Sequence, residues 1–252
     1  MNNMKGIVLA GGLGTRLNPL TRITNKHLLP VYDQPMIYYP IQKLAQAGIK
    51  DIIIVTGGNS SGDFLRLLKN GTEFGLRRLH YTYQEGEGGI AEALGLAEEF
   101  AEGERVVVIL GDNIFEDDLT PFIKSYEKQK KGAKILLKEV PYPERFGVAE
   151  IKDNKVVNII EKPKSPKSKY AVTGIYMYDQ KVFSIIKTLK PSARGELEIT
   201  DVNNYYLGNN TLTYNILKGW WADAGTSFAA YYRAITLVRE LRLKNNEFQK
   251  KA

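Results

Sequence analysis

The sequence predicts an α/β fold: a doubly wound, mainly parallel sheet with a small antiparallel addition in the second half. Three features carry that expectation. "DIIIVTGG" (Asp51 to Gly58) and "RVVVILGDN" (Arg105 to Asn113) are β-branched runs of the kind found in strands covered on both faces. Longer amphipathic stretches alternate with such runs in βαβα order as far as Val140. After Val140 the rhythm changes to strand, short turn, strand.

Taken along the chain, Gly6–Ala10 opens as a strand, and Ile37–Ala47 has a helical pattern stopped by Gly48. Strand Asp51–Gly58, a short helix at Asp63–Leu68, a strand at Leu79–Gln84 and a helix at Ile90–Phe100 follow. Arg105–Asn113 is the clearest strand, succeeded by helix Thr120–Lys130 and strand Ala133–Val140. Val148–Ile151 and Val156–Ile160 flank "KDNK", which reads as a hairpin. A Lys/Pro/Ser loop leads to strand Val172–Asp179, helices Lys181–Leu189 and Glu198–Leu207, strand Leu212–Ile216, and a long helix from Ser227. No Gly/Ser-rich linker or internal repeat divides the chain, so one domain over residues 1–252 is expected.

The 252 residues, 43% of them hydrophobic, suffice for a sizeable core. With no cysteine, a disulfide framework and a cysteine zinc site are excluded. The two histidines, His27 and His80, are too far apart in sequence to suggest a histidine metal site. A net charge of +7 suggests polyanionic partners: nucleic acid, an anionic surface or phosphorylated small molecules. Much of the excess lies in "KQKKGAK" and "KPKSPKSK", which also read as solvated surface. Few aromatics interleave with these basic runs, so nucleic acid is not the expected partner. No stretch approaches the ~20 apolar residues of a membrane span, and no signal-peptide pattern opens the chain, so a cytoplasmic protein without membrane association is expected.

The chemistry begins at "GIVLAGGLGTRLNPLT", Gly6 to Thr21. A dinucleotide fingerprint fails here, because Leu17 stands where the third glycine belongs and Asp33 lies in a proline-flanked loop. A P-loop fails too, since Gly12 and Leu13 replace its Lys and Ser/Thr. Two readings remain: a tight structural turn with a surface arginine, or backbone N–H groups cradling a triphosphate beside the Arg16 fork. Lys26, a second cation a few residues downstream, favours the triphosphate.

"LAGGLGTRLNPLT" and "NKHLLPV", with "GDNIF", "EKP", "YAVTGIY", "PSARGELEITD" and "WADAGT", resemble the sugar-1-phosphate nucleotidylyltransferases, from about Met4 to about Leu237. The resemblance implies the Rossmann-like fold of that family, with a nucleotide-binding part over about 1–140, a sugar-binding part over about 141–237, and a C-terminal helix and tail at 227–252. It implies attack of a sugar phosphate on the α-phosphorus of a nucleoside triphosphate with Mg²⁺. Within the family the motifs look most like the branch that makes dTDP-glucose and pyrophosphate from dTTP and glucose 1-phosphate. UTP or another sugar phosphate is the nearest alternative, and a non-catalytic sugar-nucleotide sensor a more distant one. Longer members carry further C-terminal helices that bind a feedback nucleotide, so that regulatory site is expected to be missing or built differently. A homo-oligomer is compatible with the chain, and its state is left open.

The residues implied follow the motifs. Leu9, Ala10, Gly11, Gly12, Gly14, Thr15, Arg16 and Lys26 would hold the nucleotide, with Arg16 also serving the chemical step. Gln84, whose amide complements the edge of thymine or uracil, would read the base with Gly89, Ile90 and His27. His27 stands where longer members carry glutamine. Asp112, at the carboxyl end of a strand, and Asp223 would be the hard oxygen ligands of Mg²⁺. Both aspartates also read as loop or helix caps. Lys162 would grip the sugar phosphate, with Asn113, Gly147, Glu161, Val172, Thr173, Arg194 and Trp221 around the sugar. Plainer readings are a surface ion pair for Glu161 and Lys162, pairing with Glu196 for Arg194, and a core aromatic for Trp221.

Overall fold

A computed structural model describes residues 4–249, with side chains through residue 245. The end of the expected tail, 250–252, lies outside the described residues. The strands are β1 (Lys5–Ala10), β2 (Pro30–Val31), β3 (Gln34–Pro35), β4 (Asp51–Gly57), β5 (Arg78–Gln84), β6 (Val106–Leu110), β7 (Asn113–Phe115), β8 (Ala133–Glu139), β9 (Gly147–Lys152), β10 (Lys155–Glu161), β11 (Tyr170–Tyr178), β12 (Leu212–Ile216) and β13 (Trp221–Asp223). The helices are α1 (Tyr38–Gln46), α2 (Ser61–Leu68), α3 (Ile90–Gly95), α4 (Glu98–Ala101), α5 (Thr120–Glu127), α6 (Lys181–Ile186), α7 (Ile199–Gly208) and α8 (Phe228–Gln249). None of them is long and apolar enough to cross a membrane.

The parallel core of the sheet runs β5-β4-β1-β6, and β11 continues it antiparallel beside β6. Alternate residues of β1 face opposite cores. Ile7 and Leu9 join Val55, Leu94 and Val108 on one side, while Val8 and Ala10 join Ile41, Leu44 and Ile54 on the other. Burying each such aliphatic side chain contributes roughly 1.5–3 kcal/mol, which is why both faces of β4 and β6 read as unbroken apolar runs. The second half supplies the antiparallel part, where β11 pairs with β8 and β9, and β9 with β10. In the β9–β10 hairpin, Asp153 and Asn154 both take positive φ (49° and 56°), the backbone of a two-residue type I′ turn.

Two expected elements differ. Ile90–Phe100 is two short helices, α3 and α4, broken after Gly95. Gly95 is a weak helix former; α3 ends on it, and the chain turns through Leu96 and Ala97 before α4 begins. The strand expected over Arg105–Asn113 ends at Leu110; the chain turns at Gly111–Asp112, and Asn113 begins β7, which pairs antiparallel with β13. That turn brings Asp112 and Asp223 together. The carboxyl ends of β1, β4 and β6 lie side by side, with Leu9 opposite both Val55 and Leu110, the edge where open α/β sheets bind ligands.

Candidate active site

Two clefts open along that edge and share a wall. The larger, about 380 Å³, is lined by Leu9, Gly11, Gly12, Thr15, Arg16, Lys26, His27, Gln84, Gly89, Ile90 and Asp112 among others. The smaller, about 150 Å³, is lined by Asn113, Gly147, Glu161, Lys162, Val172, Arg194 and Trp221 among others. Arg16, Ile90, Leu110, Glu196, Asp223 and Thr226 border both. Most of the sequence-selected residues thus gather on two adjoining surfaces, with Arg16 and Asp223 at the junction.

Each position has a local cause. Gly14 adopts φ 70° and leads into the one-turn helix that carries Thr15 and Arg16, a left-handed conformation suited to glycine. Asn25 caps the next short turn, its Oδ1 accepting from the His27 backbone N–H at 2.9 Å, and so sets Lys26 and His27. Gln84 ends β5, where its Nε2 donates to the Gly89 carbonyl at 3.2 Å. Its Oε1 is the part of the amide left to meet a ligand's donor. Lys162 sits just past β10 at φ 41°, its N–H donating to the Phe146 carbonyl at 3.0 Å. Glu161 is held by the Thr200 hydroxyl at 2.6 Å. Phe146 meets Trp221 edge-on, ring centres 5.2 Å apart, so Trp221 is both core aromatic and cleft wall.

Some selected side chains are turned elsewhere. Ala10 is fully buried and lines neither cleft, and Gly14 shapes the loop without lining it. Thr173 is buried, its hydroxyl donating to the Leu136 carbonyl at 2.8 Å within an irregular stretch of β11. Asn113 spends its side chain on protein partners. Its Oδ1 accepts from Gly174 N–H (3.0 Å) and Trp221 Nε1 (2.7 Å), and its Nδ2 donates to Asp112 (3.1 Å). Arg194 is held in a fork by both oxygens of Glu198, at 2.9 and 2.8 Å, with Glu196 also within ion-pair distance. Sequence reasoning missed Glu198 and Thr200 as supports. Their only signal was a place inside "PSARGELEITD".

The electrostatic centre is Asp112, Asp223 and Lys26. Lys26 Nζ lies 2.5 Å from Asp112 Oδ2. Burial alone would lower the Lys26 pKa, but the charges of Asp112 and Asp223 outweigh it and raise it. Burial works against ionised Asp112 too, yet Lys26 holds its pKa below the usual range. Asp223 is shifted upward, first by burial and then by the charge of Asp112. A buried and a half-buried carboxylate, of which one resists ionisation, are a donor set that a hard divalent cation would relieve. Among the described residues no group of three or more His, Cys, Asp or Glu side chains could hold a metal. Mg²⁺ takes one or two carboxylates and completes its shell with water and substrate phosphates, so this pair fits it.

Gly225 packs against the same group. A Cβ there would stand 2.2 Å from Asp112 Oδ2 and 2.7 Å from Lys26 Nζ. Gly225→Ala is therefore expected to displace the pair and lower turnover on the order of 10²-fold, the usual effect of an ångström-scale misplacement, with an unchanged circular dichroism spectrum.

His27 is buried, and desolvation followed by the Lys26 charge push its pKa down to about 3. Its Nδ1 lies 2.6 Å from Asn25 Oδ1, which can only accept, so Nδ1 carries the proton and Nε2 is a bare acceptor. In the unfolded chain histidine titrates near 6.5. The unfolded state therefore binds the extra proton between that pH and about 3, and stability is lost as pH falls through this window. His27→Gln is expected to flatten the fall in Tm between about pH 6.5 and 5, above the range where most carboxylates titrate.

A family model described as nucleotidyl transferase matches residues 5–240. A glucose-1-phosphate thymidylyltransferase of Neisseria meningitidis serogroup A is 48% identical over 227 residues, 88% of this chain and 78% of the relative. One from Xanthomonas campestris pv. campestris is 45% identical over 248 residues, 97% of this chain and 83% of the relative. Among solved structures, a Bacillus anthracis protein described as a glucose-1-phosphate thymidylyltransferase, crystallised with a sucrose, is 58% identical with a TM-score of 0.90, covering 94% of this chain and 95% of its own. A UDP-glucose pyrophosphorylase bound to UDP-glucose shares the fold, with a TM-score of 0.82 at 24% identity, over 94% of this chain and 98% of its own.

Proposed function

The chain belongs to the nucleotidyl transferase family, and from that footing we propose that it joins dTTP to glucose 1-phosphate, forming dTDP-glucose and pyrophosphate. One observation carries the reading. Two clefts, each with its own cations, meet at Arg16 and Asp223, as two polyanionic substrates require if one is to attack the other.

The triphosphate lies in the larger cleft on the backbone of the glycine loop, with Arg16 and Lys26 cancelling its charge. The base faces Gln84, Gly89 and Ile90 at the far end, with the bare His27 Nε2 beside them. Glucose 1-phosphate enters the smaller cleft. Glu161, steadied by Thr200, accepts from its hydroxyls, Trp221 gives an apolar wall, and Lys162 holds its phosphate with Arg194 at the rim. A phosphate oxygen of the sugar then forms the new bond to the α-phosphorus as the bond to pyrophosphate breaks. The attacking oxygen is already anionic, so no protein base is needed, and the residues act by alignment and charge neutralisation. Asp112 and Asp223 would hold Mg²⁺, which supplies Lewis-acid neutralisation of the phosphate oxygens when bound.

The test is pyrophosphate release with glucose 1-phosphate and Mg²⁺ fixed and five nucleoside triphosphates offered singly. Strong release with dTTP and release weakened roughly 10–200-fold with UTP is expected, the range one methyl group commands. Equal rates with UTP would remove the thymidylyl assignment. Silence with every nucleotide and several sugar phosphates would remove the transferase reading.

A further inference from the structure

We propose that Lys26 is the resident cation of the Asp112–Asp223 pair, and that a divalent ion gains the pair only when a nucleoside triphosphate draws the Lys26 ammonium away. The inference rests on the triphosphate reading above for the second step, but not for the first.

The first step is geometric. Lys26 Nζ contacts Asp112 Oδ2 at 2.5 Å, with the two side chains only 16% and 11% exposed. The other Asp112 oxygen accepts from Asn113 Nδ2 at 3.1 Å, so both oxygens of this carboxylate are engaged. Asp223 adds its charge to the same ammonium, while its Oδ1 accepts only a long hydrogen bond, 3.3 Å from Gly225 N–H. The bare Cα of Gly225 closes over the Asp112–Lys26 contact. A divalent ion arriving alone would meet a fixed positive charge on the oxygen it needs, in a buried place where charges are poorly screened.

The second step follows from where the lysine stem runs. Its Cβ lies 2.8 Å from the place a Cβ would take on Gly14, and both Cε and Nζ lie 3.7 Å from the corresponding place on Gly12. The stem therefore lies along the glycine loop, and rotation about its last bonds carries Nζ from Asp112 to whatever the loop cradles. A triphosphate there offers a new partner for the ammonium, and the carboxylate is released to the metal at the moment the phosphates arrive. Metal and nucleotide then bind with positive coupling, which by linkage is reciprocal.

Coupling by itself is not diagnostic, because the nucleotide also brings phosphate ligands to the ion. The diagnostic comparison is metal binding without nucleotide. Mn²⁺ would be titrated into the metal-free protein and its free concentration read by electron paramagnetic resonance, for wild type, Lys26→Met and Lys26→Arg, with and without the α,β-methylene analogue of dTTP. Lys26→Met is expected to bind Mn²⁺ alone about 10-fold more tightly than wild type, and Lys26→Arg no more tightly than wild type. Equal or weaker binding of Mn²⁺ alone by Lys26→Met would overturn the proposal. Should that variant fail to fold, Lys26→Gln, which keeps a polar side chain of similar reach, gives the same comparison with the same two outcomes. If the analogue binds to none of these proteins, it is the nucleotide reading that fails, and the comparison without nucleotide still decides whether Lys26 occupies the metal's place.

Discussion

Asp112→Asn is expected to lower pyrophosphate release by about 10³-fold or more and to destabilise the fold as well. The kinetic part follows from losing one of two carboxylates that would hold the ion at the reacting phosphates; single electrostatic contacts to a transition state are worth about 10²–10³ in rate, and a metal ligand serves several at once. The stability part follows from Lys26. Its ammonium is buried against Asp112, and removing one member of a buried pair commonly costs about 3–5 kcal/mol. Asp223 already shares that positive charge and will take up part of it, so the lower end is expected. For a chain of this size that is a fall in Tm of about 6–12 °C. Differential scanning calorimetry beside the release assay checks both. A variant with full activity would place the metal elsewhere, and an unchanged Tm would mean that Asp223 replaces Asp112 completely as the lysine's partner.

Lys162→Met is expected to separate those two effects. It should lower kcat/KM for glucose 1-phosphate by about 10²–10³-fold, the range for a lost charge contact to a transferring phosphoryl group, while Tm stays nearly constant. Lys162 is 41% exposed and its pairing with Glu161 spans 3.3 Å, and an open ion pair of that kind contributes about 1 kcal/mol or less. Its left-handed backbone at φ 41° is a strained conformation of the sort that collects at functional positions. Turnover unaffected by the substitution would reduce Lys162 to the surface pair that the plain reading of "EKP" allowed.

The parts of the site most legible in the sequence were those whose chemistry is local. The glycine loop, Arg16 and Lys26 lie within sixteen residues, Gly11 to Lys26, and bracket one turn. Asp112 follows an unmistakable buried strand. The β9–β10 hairpin was readable because its Asp153–Asn154 turn tolerates left-handed backbone. What stayed hidden depended on partners far along the chain. Arg194 read equally as a sugar-phosphate cation or a partner of Glu196, and it is Glu198 that closes on it. Asn113 looked like a sugar contact until Gly174 and Trp221 claimed its oxygen. Ile90–Phe100 looked like one helix because its apolar pattern runs on past Gly95, where α3 ends.

By itself the sequence determined the order of the main strands and helices, the family, and the kinds of side chain available for phosphate and metal, because β-branched runs, glycine spacing and charge type are properties of short segments. The tertiary structure alone decided that two clefts share a wall, that Asp112 and Asp223 face one buried lysine across 111 positions of chain, and which selected side chains reach the clefts. Those outcomes depend on the β7–β13 pairing and on burial. Burial converts a lysine and two carboxylates that would ionise independently in water into one coupled group, and no reading of neighbours in sequence contains that energy.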